Sequence, residues 1–149
     1  MDGSSGSYDP AEASHQALRG IQQELERHPI VTGVRGFPSG EFTQVTATLE
    51  TKRWGINRPD PTLTVRWYGG QSQKAPPAFS FHYSDDETDF GWHHHEQDHV
   101  DGWGHFQKRS DGSGYAYEPH DFGSHNPAHL VWEIMSLLSS DLNSESANQ

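Results

Sequence analysis

The residue types best able to do chemistry gather in one stretch. Between Asp85 and Lys108 lie His93, His94, His95, His99 and His105, five of the eleven histidines of this 149-residue chain. Phe90, Trp92, Trp103 and Phe106 are threaded among them. Imidazole is the side chain that titrates nearest neutral pH, and it is also the commonest metal ligand. A cluster of this kind therefore points to proton transfer, to a metal centre, or, in the plainest reading, to a polar loop with surface histidines.

The residues support two forms of chemistry. In the first, the histidines act without a metal, on the RNA substrate that a family resemblance given below implies. A ribonuclease of that kind needs a base for the 2′-hydroxyl, an acid for the leaving oxygen and a cation for the phosphate. On a strand, His93 and His95 share one face and His94 takes the other. His93 or His95 with His105 then forms the acid–base pair, Lys108 and Arg109 are the nearest cations with Arg66 more distant, and Trp92 and Trp103 are the residues able to stack bases. No cofactor is expected in that form.

The second form is a metal centre. His95-Glu96-Gln97-Asp98-His99-Val100-Asp101-Gly102-Trp103-Gly104-His105 fits H-E-x-x-H-x-x-G-x-x-H. It resembles the zinc signature of the metzincin peptidases. The resemblance implies zinc held by His95, His99 and His105, with Glu96 as general base. It requires His95 and His99 one helical turn apart, whereas Gly91 and Gly102 leave room for only a short helix. A non-catalytic metal site made by the same histidines is an alternative.

A further resemblance covers more of the chain. The segment Phe79-Ser80-Phe81-His82-Tyr83-Ser84-Asp85, the run His93-His94-His95, and Tyr117 to Leu138 follow one another as aromatic strand, histidine cluster, and terminal strand with helix. That order is similar to the TumE-type toxins of prokaryotic toxin–antitoxin pairs. The resemblance implies a small cytosolic RNA-directed toxin, or a relative without activity, paired with a small helix-turn-helix antitoxin-like partner. The third function class is a non-enzymatic interaction protein whose histidines are only surface.

Composition bounds these readings. Acidic residues outnumber Lys and Arg by 21 to 10, for a formal net charge of −11, and there is no cysteine. Disulfides and thiolate metal sites are thereby excluded. Lys52, Lys74 and Lys108 are the only lysines. An acidic, lysine-poor chain suits a salt-loving archaeal cytoplasm, where dense carboxylates stay hydrated while their repulsion is screened. The acidic balance argues against a general nucleic-acid coat. No window is apolar enough for a membrane span and no signal-peptide pattern precedes Asp9, so the expected location is the cytoplasm. There is no phosphate-binding P-loop, dinucleotide fingerprint or nucleophile elbow. Asp85-Asp86-Glu87 is read as a solvated turn, with a weak divalent-cation site as the alternative.

The elements that must position the cluster are legible in outline. Residues 1–8 are Gly/Ser-rich and read as a flexible tail, residues 9–142 as a single domain, and 143–149 as a second tail. Asp9-Pro10-Ala11-Glu12 is a helix start, Leu18, Ile21 and Leu25 recur at helical spacing, and His28-Pro29 is the stop. Period-two alternation follows in Val31 to Arg35, in Val45, Ala47 and Leu49, in Leu63, Val65 and Trp67, and in Phe79, Phe81 and Tyr83. Phe106 to Arg109 and Tyr115 to Glu118 flank the turn Ser110-Asp111-Gly112-Ser113-Gly114, a hairpin signal. A second helix follows Asn126-Pro127, with Leu130, Val131, Ile134, Leu137 and Leu138 on its apolar side. The fold class is α+β: an N-terminal helix, a mostly antiparallel sheet of about five strands, and a C-terminal amphipathic helix.

Overall fold

The computed structural model describes residues 7–37, 43–95, 102–110 and 114–147. The chain forms α1 (Pro10–Arg27), β1 (Val31–Phe37), β2 (Gln44–Leu49), a short 3₁₀ turn (Thr51–Trp54), β3 (Thr62–Tyr68), β4 (Ala78–Ser84), β5 (Asp89–His94), β6 (Gly104–Ser110), β7 (Gly114–Pro119) and α2 (Pro127–Ala147). The strands make one sheet in sequence order, each antiparallel to the next. The fold is thus the α+β arrangement expected, with seven strands among the described residues rather than about five.

Both helices start where their caps place them. The Asp9 carboxylate accepts from Ala11 N–H at 3.0 Å, and Pro10 fills the first helical position, where its missing N–H costs nothing. The Asn126 side chain accepts from the N–H groups of Ala128 and His129 at 3.0 and 3.2 Å, offering two of the helix's orphan donors a partner. α1 buries Leu18, Ile21 and Leu25; α2 buries Leu130, Val131, Ile134, Met135, Leu138 and Leu142.

These helices cover one face of the sheet. The alternate residues Val45, Ala47 and Leu49, Leu63, Val65 and Trp67, Phe79, Phe81 and Tyr83, and Phe90 and Trp92 join them in a single buried core. Period two then sends Gln44, Arg66, Ser80, His82 and His93 to the other face. Burying a side chain such as Phe81 or Leu63 stabilises the fold by about 1.5–3 kcal/mol, so a one-residue slip in register, which would exchange the faces, is strongly disfavoured.

The strand least expected from sequence is β5. Its Phe90 and Trp92 alternate correctly, but three consecutive histidines give it the composition of a loop. The turn that sets its register is anchored from within. Asp85 accepts from the N–H groups of Glu87 and Thr88 at 2.8 and 3.0 Å, from Arg58 Nε at 2.8 Å and from the Tyr83 hydroxyl at 2.5 Å. Burial alone would raise the Asp85 carboxyl, but the hydrogen bonds from Arg58, Tyr83 and the turn outweigh it and hold it below the usual carboxylate range. Asp85 is therefore a buried structural anion, not part of a solvated turn or a cation site.

The domain ends also depart from expectation. Tyr8 is fixed by its hydroxyl donating to Gly69 O at 2.6 Å, so the flexible tail does not extend to residue 8; residues 1–6 lie outside the described residues. α2 continues past Leu142 to Ala147. Among the described residues, no helix is long and apolar enough to cross a membrane.

Candidate metal centre

β5 and β6 bring three of the five clustered histidines together. His93 and His105 are direct cross-strand partners, and their rings stack with centroids 5.4 Å apart. His95 extends the pairing beyond β5, its N–H donating to Trp103 O at 2.9 Å. Its ring meets those of His105 at 5.0 Å and His93 at 5.8 Å. One ligand nitrogen from each of His93, His95 and His105 lies within 4.8 Å of the others.

Burial, reinforced by His105, His82 and His95, pushes His93 down to about 3. His93 Nε2 is buried with no hydrogen-bond partner among the described residues. Leaving a polar nitrogen buried and unbonded costs about 1–3 kcal/mol, and an ion accepting its lone pair would remove that cost.

A supporting layer surrounds the trio. His82 lies edge-on to His93 with ring centroids 5.8 Å apart, and its Nε2 is 2.9 Å from Asp89 Oδ1. Asp89 accepts from Arg109 Nε at 2.6 Å and from the Tyr115 hydroxyl, and Arg109 also donates to Tyr115 Oη at 2.9 Å. Burial would raise the Asp89 carboxyl, but bonds from Tyr115, Arg109 and His82 hold it low. Gly91, paired with His82, makes room for this arrangement: a Cβ there would sit 2.6 Å from Phe81 O and 2.7 Å from His82 Nδ1. The sequence shows His82 on a polar strand face but carries no signal for Asp89 or Gly91, because their role exists only through pairing.

Several expected site residues lie elsewhere. Lys108 pairs with Phe90, and its ammonium sits 5.4 Å from that ring's centroid. Alternation places it on the face opposite His105, so it is not the cation of this site. Arg109 is on the correct face but is committed to Asp89. Trp92 is buried in the core and offers no ring face to a base. Trp103 is half-exposed and tilts against His94, with centroids 5.3 Å apart. His94 Nδ1 is 2.6 Å from Pro77 O, and the His94 ring stacks on Phe79 at 4.9 Å. The expected ligand His99 and the expected base Glu96 lie outside the described residues.

The donor set fits a borderline metal ion. Zn–N bonds of about 2.0–2.1 Å in a tetrahedron put neighbouring nitrogens about 3.4 Å apart. Three imidazole donors suit zinc, copper or nickel better than magnesium or calcium, which prefer oxygen. Comparison with known proteins found no matching family model, no significant match among curated proteins and none among solved structures.

Proposed function

We propose that this is a metal-binding protein whose centre is His93, His95 and His105, taking a zinc-type divalent ion and leaving a coordination position for a ligand. The observation that carries this is the convergence of three imidazole nitrogens within 4.8 Å. Such an ion supplies Lewis acidity at its open position. His93 and His105 are held by β-pairing, and His82 with Asp89 packs beside them. This ligand set replaces His99 of the zincin-like pattern with His93.

The test is zinc titration of EDTA-stripped protein by calorimetry. Binding of one ion, lost in His93→Ala and His105→Ala but retained in His99→Ala, supports this set. Loss in His99→Ala with retention in His93→Ala moves the centre to the zincin pattern. No binding sinks the metal reading.

One observation favours a second reading, a metal-independent ribonuclease of the toxin type. The stacked pair His93 and His105 shares a cross-strand row with Arg66. Against it, a His93 held near 3 is a poor acid at neutral pH. RNA cleavage in high potassium chloride that survives EDTA and disappears in His95→Ala would prefer this reading, and a co-purifying helix-turn-helix partner would strengthen it. A salt-rich cytoplasm is the setting proposed for either reading. It rests on the acidic, lysine-poor composition, and a melting temperature that does not rise with potassium chloride would remove it.

A further inference from the structure

The register that pairs His93 with His105 continues across the sheet. Gln44, Arg66, Ser80, His93 and His105 form one cross-strand row on the face away from the helices. Neighbouring strands are about 4.8 Å apart, so Arg66 and His93 are separated by a gap of about 10 Å, and Ser80 stands in it. Serine is the smallest side chain of the row. A cleft of about 370 Å³ opens there, lined by Thr43, Arg66, Tyr68, Ser80, His93 and His95 among others, and among the described residues no Asp or Glu lines it.

Arg66 differs from the other arginines near the site. Arg58 and Arg109 are each bonded to a carboxylate, Asp85 and Asp89. Arg66 donates through Nε to the neutral side chain of Gln44 at 3.1 Å, and among the described residues it pairs with no acid. In a chain of net charge −11, a guanidinium without a carboxylate partner among the described residues, beside a proposed metal centre made of imidazoles, makes a cleft suited to an anion. The guanidinium fork matches tetrahedral oxyanions, and the hydroxyls of Ser80 and Thr43 are donors of the same kind.

Resting on the metal reading, we infer that the cleft binds a phosphate-type oxyanion, held between the ion's open position and Arg66 across Ser80. Tyr68, exposed two residues along β3 from Arg66 and so on the same face, is a wall for the organic part of a phosphate ester.

The test uses the full chain, stripped and then loaded with one equivalent of zinc, titrated with inorganic phosphate and with phenyl phosphate. The zinc-loaded protein should bind both. Arg66→Gln should weaken both by about tenfold or more, as for loss of a charged hydrogen bond, while zinc affinity and melting temperature stay unchanged. His95→Ala should abolish zinc and phosphate binding together. Phenyl phosphate binding more tightly, with Tyr68→Ala removing only that excess, assigns the head group to an ester; equal binding assigns it to free phosphate. Zinc binding without phosphate binding overturns the inference and leaves the metal reading intact. Equal phosphate affinity in Arg66→Gln, or in zinc-free protein, also overturns it. Failure to bind zinc overturns both.

Discussion

Two adjacent histidines on β5 have opposite situations. His94 turns toward the helices, where burial lowers it and its bond to Pro77 O partly offsets that. It stacks on Phe79 and behaves as a polar-tipped core residue. His93, one position earlier, turns to the other face, where its ring neighbours are imidazoles and its Nε2 has no hydrogen-bond partner among the described residues. The residue type is the same. The alternation of the strand separates a packing role from the proposed ligand role.

The strongest way to break the comparison is to exchange the two. His93→Ala or His105→Ala should weaken zinc binding by about 100-fold or more, and His94→Ala should leave it within about threefold, as judged against the cost of losing a metal's supporting contacts. Equal losses in calorimetry would show that the faces do not divide the work.

The next effect is on the turn that fixes which face is which. Arg58→Ala leaves the Asp85 carboxylate buried without its ion-pair partner, and should destabilise the fold by about 3–5 kcal/mol in urea melts. Asp85 also gives a pH signature. Its folded pKa lies below the unfolded value near about 3.9, so its stabilisation is complete above that value and is lost as pH falls through the folded one. Asp85→Asn should therefore be less stable than the parent at pH 7, and should lose less than the parent does below about pH 4. Parallel acid melts of the two proteins would refute this.

A smaller effect sharpens the ligand face alone. Gly91→Ala drives a methyl against the backbone at Phe81 and the ring of His82. It should cost about 1–3 kcal/mol of stability and shift the His82 ring resonances. A variant as stable as the parent with unchanged resonances would mean that Gly91 does not shape the site. Smallest is His94→Gln, which keeps a polar tip near Pro77 O; we expect a loss of about 1 kcal/mol by thermal melting and no change in zinc affinity.

Much of the fold was legible before any coordinates. The caps at Asp9 and Asn126, the apolar spacing of Leu18, Ile21 and Leu25, and the alternation at Val45, Leu63 and Phe79 are local signals with local causes, and each element formed where they pointed. β5 was harder to read, because a strand whose second face is built of histidines has the composition of a loop. Of the site, the sequence nominated His93, His95 and His105, and its zincin-like spacing nominated His99 as well.

Sequence by itself determined the chemistry available: imidazoles in excess, no thiol and few lysines. Only the tertiary structure decided which imidazoles meet. Asp85, buried against Arg58 and Tyr83, anchors the β4–β5 turn that sets His93 beside Ser80, and the β5–β6 pairing sets His93 opposite His105. Arg66 joins their row, and Lys108 leaves it, for the same reason: cross-strand pairing is a contact between residues distant in sequence, and no local pattern of residue types encodes it.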